Sequence, residues 1–245
     1  MNNTSRRLFR ASIFLLLIIV CGYFFSHSSF FQVDTIVVTG NSTISQHEII
    51  DMARIEDEIK LFEANEKLIS QAVELHPMIK EAQLVRHLPR TLEIKVTERV
   101  MWAVVPLTDE FLIIDTEGVC INKSLQFPST EVPLITIEPV PQQIILGQAV
   151  EPGGMDLIRK VWEGLSDGER QQVSDFHFAV ASQQLTIYTL QGTEIKFGID
   201  ERLEEKLSTL SQVFQLERDF IDTGQDDLIY VDMRYKGQPV VKTTI

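Results

Sequence analysis

The chain has 245 residues, 44% of them apolar, with 35 acids against 22 Lys and Arg and a net charge of −13. That apolar fraction is enough for packed cores and excludes disorder as the default. The first ten residues hold three arginines and no acid, so residues 11–245 sum to −16, a surface that repels nucleic acid and anionic headgroups.

Residues 11–33 contain no Asp, Glu, Lys or Arg. About 20 helical residues at roughly 1.5 Å each cross a hydrocarbon core of about 30 Å, so a transmembrane helix is expected at 11–30. Arg6, Arg7 and Arg10 precede it and favour a cytoplasmic N-terminus, which puts the rest of the chain outside. A removable signal peptide is the rival reading, since Ser26 and Ser28 have the small-x-small spacing of a cleavage site; the aromatics Tyr23, Phe24 and Phe25 weigh against it. Cys21 lies in the span and Cys120 in the outer region, so the two do not pair in a folded monomer and the exported part has no internal disulfide.

Phe31 to Thr39 reads as a strand closed by a Gly40-Asn41 turn. Ser45 is placed to cap a helix running to about Ala53, with Glu48 three residues on to complete a capping box and Ile44 and Ile49 to form a hydrophobic staple. Residues 54–64 are charged and read as a connection. Asn65 caps a second helix with an apolar stripe of Leu68, Ile69, Ala72 and Val73, and His76-Pro77 ends it. Glu81 to His87 and Thr91 to Thr97 are strands joined at Leu88-Pro89-Arg90. In the second of them Leu92, Ile94 and Val96 point inward. The order is β-α-α-β-β, a compact α+β unit.

The remainder is richer in strands. Phe111 to Ile114 is a short strand, turned by Asp115-Thr116-Glu117-Gly118, and Val119 and Ile121 continue. Five prolines between Pro128 and Pro152 make that stretch loop or sheet edge. Gly153-Gly154 precedes a helix with Met155, Ile158, Val161, Trp162 and Leu165 on one face. Three alternating strands follow, around Phe176 and Phe178, Leu185 and Ile187, and Ile195 and Phe197. Asp200 is expected to cap a long helix with Leu203, Leu207, Leu210 and Phe214 as its stripe and Asp222-Thr223-Gly224 as its stop. Leu228 to Tyr235 is the last strand. The second half is therefore a mixed α/β domain with a largely antiparallel sheet.

Motifs for catalysis are missing: there is no Gly-rich phosphate loop, no G-x-S-x-G, no H-E-x-x-H and no paired C-x-x-C. The five histidines include no pair at i, i+4 spacing, and His177 points away from the Phe176 and Phe178 face. Asp226-Asp227 reads as loop solvation. No catalytic, cofactor-binding or metal-binding residue is expected, and no enzyme activity. Tyr230, Val231, Met233 and Tyr235 form a strong strand near the terminus. Two readings stand there: a sheet edge open to a partner strand, or an interior strand with buried tyrosines.

Several stretches, in order, resemble the FtsQ/DivIB family of bitopic bacterial cell-division proteins. Val33-Asp34-Thr35-Ile36-Val37-Val38-Thr39-Gly40-Asn41 is similar to the opening strand and turn of that family's POTRA domain. Pro77-Met78-Ile79-Lys80-Glu81-Ala82 resembles its P-x-I-x-x-A motif, and the run from Leu88 to Glu98-Arg99 its closing L-P-x-T-L-x-I-x-V-x-E-R signature. Asp115 to Gly118 resembles a D-x-x-G turn of the second domain, and Tyr230 to Tyr235 a strand near the family's C-terminus. Val100-Met101-Trp102-Ala103 departs from the Pro and small residue that often follow the E-R pair. On this resemblance the chain divides into a cytoplasmic stub 1–10, a span 11–30, a POTRA domain 31–100, a beta domain 101–235 and a tail 236–245.

The resemblance implies a non-enzymatic scaffold of the division septum in the plasma membrane, with FtsL-type and FtsB/DivIC-type single-span partners and control of septal peptidoglycan synthesis through them. It implies recruitment through the POTRA domain and partner binding at Arg234, Tyr235, Lys236, Gly237 and Gln238. The alternatives are a POTRA-containing envelope assembly or secretion factor, which lacks here the roughly ten-residue amphipathic strands of a membrane barrel, and a membrane-anchored extracytoplasmic hydrolase, which needs a deep pocket with convergent ionisable groups.

Overall fold

The computed structural model describes residues 3–128, 131–223 and 228–243. It separates into two compact units, Met1–Glu98 and Arg99–Ile245. The first two residues of the basic stub, the Gly224 stop and the Asp226-Asp227 loop lie outside the described residues.

In the first unit, α1 runs Asn3–Ser26, so helix begins inside the expected stub and ends four residues before the expected end of the span. A 3-10 turn at Ser29–Phe31 follows, capped by Ser28. The apolar side chains from Ile13 to Phe25 are exposed. Among the described residues no helix is long and apolar enough to cross a membrane.

β1 is Thr35–Thr39, not the longer strand from Phe31. Residues 31–33 instead pair with the connection after the second helix: Leu61 N–H donates to Phe31 O at 2.8 Å and Val33 N–H to Ile59 O at 2.9 Å. That connection is therefore partly core, with Leu61 and Ala64 buried.

α2 is Gln46–Ala53, and the Ser45 hydroxyl accepts from Glu48 N–H at 3.2 Å. The staple residues Ile44 and Ile49 are both buried in one cluster. The other half of the capping box is replaced: the Glu48 carboxylate lies 3.8 Å from His76 Nε2. α3 is Glu66–Glu74, capped by Asn65. β2 (Ile79–His87) and β3 (Thr91–Glu98) complete a sheet of order β1-β3-β2, with β3 central, parallel to β1 and antiparallel to β2. Leu92, Ile94 and Val96 are buried as the alternation predicts. Gly40, at φ 84, has no room for a side chain, since a Cβ would stand 2.1 Å from Val96 O.

The second unit holds two sheets. β4 (Ala103–Pro106), β5 (Phe111–Ile114) and β6 (Cys120–Ser124) form an antiparallel set. β4 escapes the alternation rule because Ala103, Val104 and Val105 are all buried, which erases the period of two. β7 (Ile135–Glu138) is the strand within the proline-rich stretch. α4 (Pro152–Gly164) starts earlier than expected, so Gly153 and Gly154 lie inside it. Gly154 is needed there because a Cβ would come within 2.6 Å of the Phe178 ring.

A short helix α5 (Asp167–Arg170) leads into β8 (Val173–Ala179), β9 (Gln184–Thr189) and β10 (Glu194–Gly198), an antiparallel meander. α6 runs Leu203–Thr223. Asp200 does not cap it: Arg202, in the left-handed region at φ 53, occupies the turn before the helix, and the Asp200 carboxylate accepts from Lys160 Nζ at 2.6 Å.

β11 (Leu228–Asp232) lies parallel to β10, and β12 (Val240–Thr243) lies antiparallel to β11. The six-stranded order is β12-β11-β10-β9-β8-β7. Two expectations are corrected by β12. The segment 236–245 is not only a tail, and the strand from Leu228 is interior, ending at Asp232 and not at Tyr235. One face of this sheet packs under α4 and α6 through Ile158, Leu210, Phe214, Ile187 and Phe197. The other bears polar groups, among them His177, which meets Thr136 Oγ1 at 2.9 Å.

Candidate functional site: an open sheet edge

β12 is the last strand of the sheet order, so one of its sides pairs with β11 and the other pairs with no strand among the described residues. An unpaired strand side presents a row of backbone donors and acceptors, the feature that lets a partner add a strand. Val240 is 56% and Val241 44% exposed. The register sets Val241 opposite Val231 and Val240 opposite Asp232. Successive side chains alternate, so the two valines flank the edge on opposite faces.

The expected site residues form the loop between β11 and β12. Tyr235 is 71% exposed, and Lys236, Gly237 and Gln238 are exposed beside it. Gly237 takes φ 115, a conformation L side chains rarely adopt. Arg234 does not join them at the surface. Its guanidinium turns back to Asp232, with Nη2 donating to Oδ2 at 2.6 Å and Nε to Oδ1 at 2.9 Å, and Nη1 donates to Gln184 Oε1 at 3.3 Å. The pairing, foremost the hydrogen bond from Arg234, holds the Asp232 carboxyl below the usual carboxylate range and raises Arg234 in return. Arg234 O accepts from Arg202 Nη2 at 3.3 Å. Arg234 thus braces the loop from below while its guanidinium carbon sits 5.6 Å from the Tyr235 ring centre.

Val240, Val241 and Lys242 were missed from sequence. The signal was present: Lys236-Gly237-Gln238-Pro239 is a turn cluster, and a β-branched pair follows it at hairpin distance. At the opposite edge, Thr136 and His177 join β7 to β8, with Asp175 beside them. Burial pushes the Asp175 carboxyl up against the hydrogen bonds that favour its charge. Among the described residues no group of three His, Cys, Asp or Glu side chains could hold a metal ion.

Comparison with known proteins covers both units. Residues 31–99 match the family model for the FtsQ-type POTRA domain, and residues 103–234 match that for the cell division protein FtsQ/DivIB C-terminal domain. The cell division protein DivIB of Clostridium botulinum strain Hall is 25% identical over 216 residues, spanning 86% of this chain and 81% of that one. The cell division protein FtsQ of Syntrophotalea carbinolica is 27% identical over 246 residues, 93% of this chain and 85% of that one. Among solved structures, the major extracytoplasmic domain of DivIB from Geobacillus stearothermophilus aligns at 11% identity with a TM-score of 0.32, over 51% of this chain and 97% of that one.

Proposed function

The chain belongs to the FtsQ/DivIB family of cell-division proteins, and from that premise we propose that it is a membrane-anchored, non-enzymatic scaffold of the division septum. In this reading α1 and the uncharged run to Val33 are a single anchor in the plasma membrane, with the N-terminus cytoplasmic and both units extracytoplasmic. The partners are single-span proteins of the FtsL and FtsB/DivIC type, and the output is control of septal peptidoglycan synthesis.

The observation that carries the reading is the open outer side of β12, flanked by Val240, Val241 and Tyr235. A segment of the FtsB/DivIC-type partner adds to β12 through backbone hydrogen bonds, and the loop from Tyr235 to Gln238 sets specificity. Arg234 positions that loop. The edge is four residues long, so backbone pairing alone is short, and the exposed Tyr235 ring is the anchor that hot-spot composition favours.

The test is calorimetric titration of the full chain in detergent micelles with the partner's extracytoplasmic segment. Tyr235→Ala is expected to weaken binding by about 2 kcal/mol, and Val240→Asp at the edge to weaken it comparably, with both variants melting as the wild type does. Unchanged affinity in both variants would overturn the edge.

A further inference from the structure

α3 carries more apolar surface than its own unit buries. Of its stripe, Ile69 and Val73 are 7% and 0% exposed, whereas Leu68 is 63% exposed. Leu68 and Ala72, one turn apart, line a groove of about 420 Å³ together with Ala53, Ile55, Ile59 and Ile69. That volume lies within the roughly 300–1,000 Å³ of clefts that enclose an apolar group. Glu56 and Glu63 stand at the rim with Arg54, Glu63 already paired with Lys60 at 3.1 Å, and residues 54–67 hold five acids against three bases.

The groove also has a place relative to α1. The wall formed by residues 59–63 receives the chain as it leaves that helix, through the Phe31–Leu61 and Val33–Ile59 hydrogen bonds. The Glu63 carboxylate lies 4.0 Å from Nε2 of His27, the residue next after α1. The groove therefore opens beside the end of α1.

We propose that this groove docks the juxtamembrane segment of a single-span membrane partner, one that brings a bulky apolar side chain for the groove and Lys or Arg for the rim. The proposal rests on the reading of α1 as a membrane anchor. A segment leaving a neighbouring span reaches the groove at once, without a long extended reach. The acidic rim attracts a basic segment and repels both an anionic lipid surface and a second copy of the same rim. Leu68 supplies the apolar contact that the unit itself leaves unused.

The experiment uses the full chain in dividing cells. Fluorescent fusions of the wild type, Leu68→Glu and Leu75→Glu are compared for septal enrichment at equal membrane levels. Leu75 is 83% exposed and lies outside the groove, which makes it the matched control. The expected result is about a tenfold loss of enrichment for Leu68→Glu, the size of a lost hot spot, with Leu75→Glu like the wild type. In parallel a photo-crosslinking residue replaces Leu68, and the crosslinked peptide is sequenced. A crosslink to a Lys- or Arg-bearing segment bordering the span of a single-span protein supports the groove. A crosslink to lipid, to a second copy or to a segment remote from a span overturns it, as does equal enrichment of Leu68→Glu and the wild type. Lack of a septal band in the wild type would instead sink the divisome reading, and the crosslink would then judge the groove by itself.

Discussion

Glu98 and Arg99 are neighbours in the chain and serve different halves of it. The Glu98 carboxylate accepts from the Ser42, Thr43 and Ile44 N–H groups at 2.9–3.1 Å and from the Ser42 hydroxyl at 2.7 Å. The Arg99 guanidinium donates to Asp115 at 2.5 Å and Glu117 at 2.8 Å, and Asp115 in turn accepts from the Glu117 and Val119 N–H groups. Partial burial pushes the Glu98 pKa up, but the backbone N–H groups of Ile44 and Ser42 and their neighbours outweigh it, so the carboxyl falls from 4.5 to about 2. A depressed carboxyl contributes stability above its unfolded pKa and loses it as pH falls through the folded value. The first unit is therefore expected to weaken between pH 4.5 and 2, and Glu98→Gln to cost about 2 kcal/mol at neutral pH after allowance for solvent screening and to flatten that pH dependence. Hydrogen exchange of the α2 amides across this range measures both. The Glu98-Arg99 pair was legible as a motif, whereas the partner of Glu98 was not, because a row of backbone N–H groups has no letter in the sequence.

Among the elements, α6 is held at both ends of its buried face by polar groups. Lys206 is buried and donates to Ile199 O at 2.8 Å, and burial lowers its pKa. Glu217 is buried too and accepts from the Thr189 and Thr193 hydroxyls at 2.6 and 2.5 Å, tying the helix to the β9–β10 hairpin. Glu217→Ala leaves the buried Thr189 hydroxyl short of an acceptor and Thr193 with Leu228 O at 3.2 Å, so a loss of about 1–3 kcal/mol is expected, read as an earlier melting of the second unit by circular dichroism. The apolar stripe of α6 and the alternation in β3 and β8–β10 were legible because burial on one side imposes a period. What the sequence hid were elements buried or exposed on both sides: β4, where every residue of Ala103 to Val105 is buried, and β12, where Val240 to Lys242 are all exposed. The candidate site shared that fate. Its loop was legible from Gly237 and Pro239, whereas edge and interior both stood open for β11 because the strand that covers β11 carries no periodic signal.

For the whole molecule, charge and anchorage set the remaining expectations. Residues 11–245 carry −16, so association with a basic partner segment is expected to slow and weaken as salt rises from 50 to 500 mM, since screening shortens to about 4 Å over that range. Surface plasmon resonance with the full chain reads this directly, and an association rate indifferent to salt would show that charge plays no part. The division into two units was legible from the change of texture after Arg99 and from the E-R pair. The orientation expected across a membrane rests on Arg6, Arg7 and Arg10 alone.

The closure at residues 98 and 99 has a consequence for how such chains are recombined. Glu98 completes the first unit with bonds that stay inside it, and Arg99 does the same for the second. One peptide bond is thus a seam at which a foreign second half can be spliced, or a first half exchanged, with each fragment keeping the side chain that locks it. A cut two residues earlier or later would strand one lock on the wrong piece. Halves produced as separate fragments should on this account be most stable when divided at that bond, and melt earlier when the division is moved to 96 or 101.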